Sequence, residues 1–122
     1  MPRDVGLSLR LVTYNVHHAG DEVPTLDAIE RADGDLVLLQ ETTASWERAL
    51  RERFSSRYPH LLFRHLRRSA GGLSVLSRIA ITDEVIIPAT DGWFPAQRLV
   101  VAAAGSERLE ILHVHLRPAI DD

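Results

Sequence analysis

Leu36-Val37-Leu38-Leu39 runs directly into Gln40-Glu41, and this stretch constrains the fold more than any other in the chain. Four consecutive apolar residues after the turn-forming Asp33-Gly34-Asp35 predict a strand buried on both faces, whose last residue is delivered to the rim of a sheet. Glu41 is therefore a candidate site residue. An earlier stretch, Leu7 to Val16, predicts a second strand with Asn15 near its end. Two strand ends at one edge form the kind of place where open α/β sheets bind ligands.

Between the two strands, Val23, Leu26, Ile29 and Ala32 recur at helical spacing, with Pro24 in the first turn, where its missing N–H costs least. The order strand, helix, strand predicts a right-handed crossover and two parallel strands. After Glu41, Thr42-Thr43-Ala44-Ser45 offers N-caps, and Trp46, Leu50, Phe54 and Tyr58 form an apolar stripe that Pro59 ends. The remainder reads as strands over 61–66, 73–77, 79–88, 97–104 and 109–116, separated by turns at Gly71-Gly72, Asp91-Gly92 and Gly105-Ser106.

Strands 36–40, 97–104 and 109–116 carry apolar residues at both parities, so both faces of their sheet need cover, while two helices cover only one. The expectation is an α/β domain over residues 1–122, a mixed β-sheet with two helices on one face. Its other face is left bare, to be covered by self-association or by a missing C-terminal half.

A net charge of −3 excludes a generally basic nucleic-acid binder; the 14 residues counted as Lys or Arg are all arginine, and the one concentrated basic patch is Arg64, His65, Arg67 and Arg68. The absence of cysteine removes disulfides, thiolate catalysis and Cys-based zinc sites. No run approaches the roughly 18 apolar residues of a membrane span. The N-terminus lacks a signal peptide's apolar core, so a cytoplasmic protein is the default expectation.

Four segments in order, Thr13-Tyr14-Asn15-Val16, Leu38-Leu39-Gln40-Glu41, Gly72-Leu73-Ser74-Val75-Leu76-Ser77-Arg78 and Leu112-His113-Val114-His115-Leu116-Arg117-Pro118, span nearly the whole chain. Together they resemble the N-terminal half of the endonuclease/exonuclease/phosphatase superfamily, whose DNase I-like fold is a four-layer α/β sandwich. The resemblance implies a divalent-metal-dependent phosphoesterase, nuclease or phosphatase, using Mg²⁺ or Mn²⁺. It implies Glu41 as metal ligand, Asn15 as the amide that orients metal and phosphate, and His115 as the catalytic phosphate contact. The partner is a phosphate ester, with nucleic acid among the candidates.

The residue types suit that chemistry. Mg²⁺ keeps several waters and is held by one or two carboxylates plus substrate oxygens. A neutral amide adds no charge to repel phosphate, and histidine titrates near neutrality. The family's second half carries a Gly-Asp-x-Asn segment and an Asp-His pair that supply the water-activating base, and neither occurs in this sequence. Impaired turnover, or a non-catalytic half-domain, is therefore expected of the chain as a truncated domain.

Other readings attach to single features. His113 and His115 share one side of their strand, so a zinc pair competes with His115 as phosphate contact and His113 as a hydrogen-bonded or phosphate-binding histidine. Arg67 and Arg68, beside a glycine turn, are candidate phosphate contacts set against ordinary surface arginines. Trp93 and Phe94 read as a stacking loop or as a plug at the sheet's edge.

Overall fold

A computed structural model of the chain describes residues 8–17, 21–66, 71–89, 94–103 and 107–116. The element order is β1 (Leu11–Asn15), α1 (Glu22–Ala32), β2 (Leu36–Gln40), α2 (Ala44–Phe54), β3 (His60–His65), β4 (Gly72–Ser77), β5 (Ile81–Ile87), β6 (Ala96–Ala102) and β7 (Arg108–His113). They build a four-stranded sheet in the order β1-β2-β4-β3 and a three-stranded sheet in the order β5-β6-β7. As the crossover predicts, β1 and β2 are parallel, and the remaining pairs are antiparallel.

Both helices pack on one face of the first sheet. Leu26 and Ile29 of α1 and Trp46, Leu50 and Phe54 of α2 meet Val37, Leu39 and Leu76 in one core. Helix α2 starts at Thr43, whose hydroxyl accepts from the Trp46 N–H at 3.3 Å, and ends at Phe54 rather than at Tyr58. Pro59 disfavours helical backbone at Tyr58. The chain therefore turns at 55–57, and the Tyr58 hydroxyl donates instead to the Gly34 carbonyl at 2.8 Å.

The opposite face of the first sheet is not bare. Leu36, Leu38 and Val75 pack there against Leu99, Val101 and Ile111 of the second sheet. This corrects the expectation of a single sheet. Apolar residues at both parities demand cover on both faces, but the pattern does not say which strands leave to provide it. The second sheet has a wetter outer side, where Val85, Ile87 and Leu112 are 44%, 40% and 60% exposed.

Among the described residues, no helix is long and apolar enough to cross a membrane.

Candidate active site

The sandwich interior changes character along its length. At the Leu36 end it is aliphatic, and at the Gln40 end it holds Gln40, Gln97 and His113, all buried. The site forms at the rim above this polar end.

Asn15 closes β1 opposite Gln40. Its Oδ1 accepts from the His17 backbone N–H at 2.7 Å, and its Nδ2 donates to Glu41 Oε2 at 2.9 Å. The first bond is an Asx-type turn that fixes which way the amide faces. The second brings together the two residues that the strand ends single out.

Glu41 has φ 64°, left-handed backbone that a glutamate adopts rarely. The conformation is held by its N–H, which donates to the Gly72 carbonyl at 2.8 Å, with the Thr42 N–H on the same oxygen at 3.4 Å. Only glycine fits at position 72, because a Cβ there would lie 1.8 Å from the Thr42 carbonyl oxygen. Strand alternation would send residue 41 to the helix side with Val37 and Leu39. The left-handed turn re-aims it across the rim, where Oε2 lies 3.2 Å from His115 Nε2.

His115 lies just beyond β7 and is 7% exposed. Its ring stacks on Phe94 with centroids 4.1 Å apart and planes 7° from parallel. With Nε2 turned to an acceptor-only carboxylate, its proton sits on that nitrogen. Nδ1 is buried with no hydrogen-bond partner, an uncommon state for a ring nitrogen. Phe94, from the segment read as a stacking loop or an edge plug, thus joins the site by stacking on His115, while Trp93 of that segment lies outside the described residues.

His113 does not reach the rim. It is 2% exposed, and its ring nitrogens are engaged by Gln97 Oε1 and Gln40 Nε2, each at 2.9 Å. Burial, helped by neighbouring His115, pushes its pKa down to about 4. A neutral ring with both nitrogens occupied matches the hydrogen-bonded histidine reading and leaves it no nitrogen for phosphate or for a zinc pair.

The basic patch divides. Arg64 is paired with Glu84 at 2.6 Å and His65 with Glu47 at 2.6 Å, while Arg67 and Arg68 lie outside the described residues. Arg78 pairs with Asp33 and Asp35 at the far end of β2, a structural role.

Among the described residues, no three His, Asp or Glu side chains converge as a metal cage. One carboxylate beside a neutral amide and an imidazole N–H suits a hard cation that keeps waters and takes substrate oxygens. It does not suit tetrahedral zinc, which takes three or four protein ligands.

Solved structures of similar fold include three of TDP2. That of D. rerio TDP2 complexed with a single-strand DNA product superposes with a TM-score of 0.68 at 15% identity, over 85% of this chain and 44% of that one. A D. rerio TDP2 humanized by 14 mutations gives 0.70 at 17%, over 85% and 45%. A truncated Caenorhabditis elegans TDP2 gives 0.69 at 12%, over 91% and 47%. The chain thus spans less than half the length of these proteins. No curated protein matches it by sequence. The family model for the endonuclease/exonuclease/phosphatase family matches residues 12–120, nearly the whole chain, and the protein belongs to that family.

Proposed function

We propose that the rim formed by Asn15, Glu41 and His115 is the metal- and phosphate-binding part of a divalent-metal-dependent phosphoesterase site. The observation that supports this reading is the convergence of two side chains, Asn15 of β1 and His115 from the end of β7, on a single carboxylate oxygen, Glu41 Oε2 at the end of β2. Glu41 is the residue to hold Mg²⁺ or Mn²⁺. When bound, the ion polarises a phosphoryl oxygen and stabilises charge on the leaving oxygen. Asn15 aims the carboxylate without adding negative charge. His115 carries its Nε2 proton at the carboxylate, the position from which it is donated to a phosphate oxygen. Phe94 keeps water from one face of that imidazole.

The substrate class is a phosphodiester or phosphomonoester, and the DNA product in the D. rerio TDP2 structure makes a nucleic-acid phosphodiester the first to try. Purified chain is assayed on single-stranded DNA and on para-nitrophenyl phosphate esters with and without Mg²⁺ or Mn²⁺. Metal-dependent cleavage lost in Glu41→Ala supports the reading, and cleavage that survives the substitution contradicts it. Turnover is expected to be slow, since no second carboxylate stands beside Glu41 and His115 among the described residues to activate water.

A second reading rests on the outer side of the second sheet, where Val85, Ile87, Leu112 and Val114 remain exposed. A patch of this kind fits a half-domain that completes itself against another polypeptide layer. Light scattering across concentrations separates the readings: association that Leu112→Asp abolishes favours the half-domain, and a monomer at every concentration removes it.

A further inference from the structure

Beneath the rim runs a hydrogen-bond chain that touches every strand but β4. Arg64 of β3 donates to both oxygens of Glu84 on β5, at 2.8 and 2.6 Å. Gln97 Nε2 of β6 donates to Glu84 Oε2 at 2.9 Å. The chain passes through His113 of β7 to Gln40 of β2, whose Nε2 reaches Thr13 Oγ1 of β1 at 3.0 Å.

Its direction has one solution. Arg64 only donates and the Glu84 carboxylate only accepts, so Gln97 must turn its NH₂ to Glu84 and its carbonyl oxygen to His113. That oxygen requires an N–H at His113 Nδ1, which leaves Nε2 as the acceptor for Gln40. Burial weighs against the Glu84 charge, but the bonds from Arg64 and Gln97 outweigh it and hold the carboxylate below its ordinary pKa. The charged end of the chain thus sets the tautomer at its middle.

Each rim residue lies one or two positions along the chain from a member of this network: Asn15 from Thr13, Glu41 from Gln40, and His115 from His113. The rest of the sandwich interior is aliphatic, and such contacts are non-directional, so they tolerate small slides of one sheet over the other. The Glu41–His115 contact spans that interface and does not tolerate them. Apolar side chains of similar size would fill the space as well, and buried polar groups carry a desolvation cost. What they add is a fixed register.

We propose that His113 and Gln97 are positioning residues: they fix where His115 stands against Glu41, and so pre-organise the rim for its ligand. This rests on the phosphoesterase reading for its purpose but not for its test. Nitrogen-15 NMR of the full chain without metal reads both imidazoles directly. In the wild type, His113 is expected as the neutral Nδ1–H tautomer and His115 with its proton on Nε2. His113→Leu and Gln97→Leu are expected to move the His115 ring signals and weaken its bond to Glu41. Leu99→Ala, a cavity in the aliphatic part of the same interface, is expected to lower stability without moving them. Isothermal titration with Mg²⁺ then reads the consequence, an expected ten- to hundredfold loss of affinity in the two network variants.

The proposal is overturned if His113 is the Nε2–H tautomer, if the His115 signals stay put in whichever network variant folds, or if Leu99→Ala moves them equally. A wild type that binds no Mg²⁺ counts against the phosphoesterase reading alone, because the imidazole signals are recorded without metal.

Discussion

The side-chain amide of Asn15 donates to Glu41 Oε2 across 2.9 Å, joining the ends of two parallel strands. The bond is short because β1 and β2 are in register, Asn15 against Gln40, so the two side chains emerge at the same rim. Asn15→Asp replaces this bond with two carboxylates a hydrogen bond apart, which cannot both ionise freely. The variant is expected to be about 2 kcal/mol less stable than wild type at neutral pH, with the deficit shrinking as acid protonates the pair. Urea unfolding at two pH values checks this; a deficit that does not depend on pH would show that the amide faces something other than the Glu41 charge.

Glu41 holds left-handed backbone at φ 64°, where a side chain costs about 1 kcal/mol or more and glycine costs little. Glu41→Gly is therefore expected to be more stable than Glu41→Ala by about 1 kcal/mol, the reverse of the usual order. Both variants are expected to lose Mg²⁺ binding. Denaturant midpoints of the pair, measured together, test whether strain is kept at this residue for the sake of its carboxylate.

The buried ring of His113 makes stability depend on pH in a defined window. Its pKa is pushed down from 6.5 to about 4 in the folded state, so the unfolded chain takes up the proton first as pH falls. Stability is fully present above pH 6.5 and declines as pH falls toward 4, by roughly 3 kcal/mol over the window. His113→Leu is expected to flatten that slope. An unchanged slope would assign the acid sensitivity to other groups.

Much of this architecture was legible because it rests on local patterns. The apolar run before Glu41 gave β2, the four-residue stripe gave α2, and the turn residues separated the later strands. The pairing of Asn15 with Glu41 was legible because parallel strands deliver their ends to one rim. The second sheet was not, because strands 97–104 and 109–116 show that they are buried without showing against what. The ring that Phe94 stacks on and the path of the His113 chain were hidden for a related reason: stacking and amide direction depend on contacts between segments far apart in sequence. The helix ends at Phe54 because Tyr58 stands ahead of Pro59, yet Tyr58 keeps its place with Trp46, Leu50 and Phe54 in the core.

Everything proposed for this rim depends on Glu41 holding a divalent ion beside Asn15 and His115. Paramagnetic broadening by Mn²⁺ reads this at the rim itself, through the proton NMR signals of the Asn15 amide and the His115 ring. Substoichiometric Mn²⁺ is expected to bleach these two signals first, excess Mg²⁺ to restore them, and Glu41→Gln to prevent the effect. Broadening centred elsewhere, or undiminished in Glu41→Gln, would contradict it.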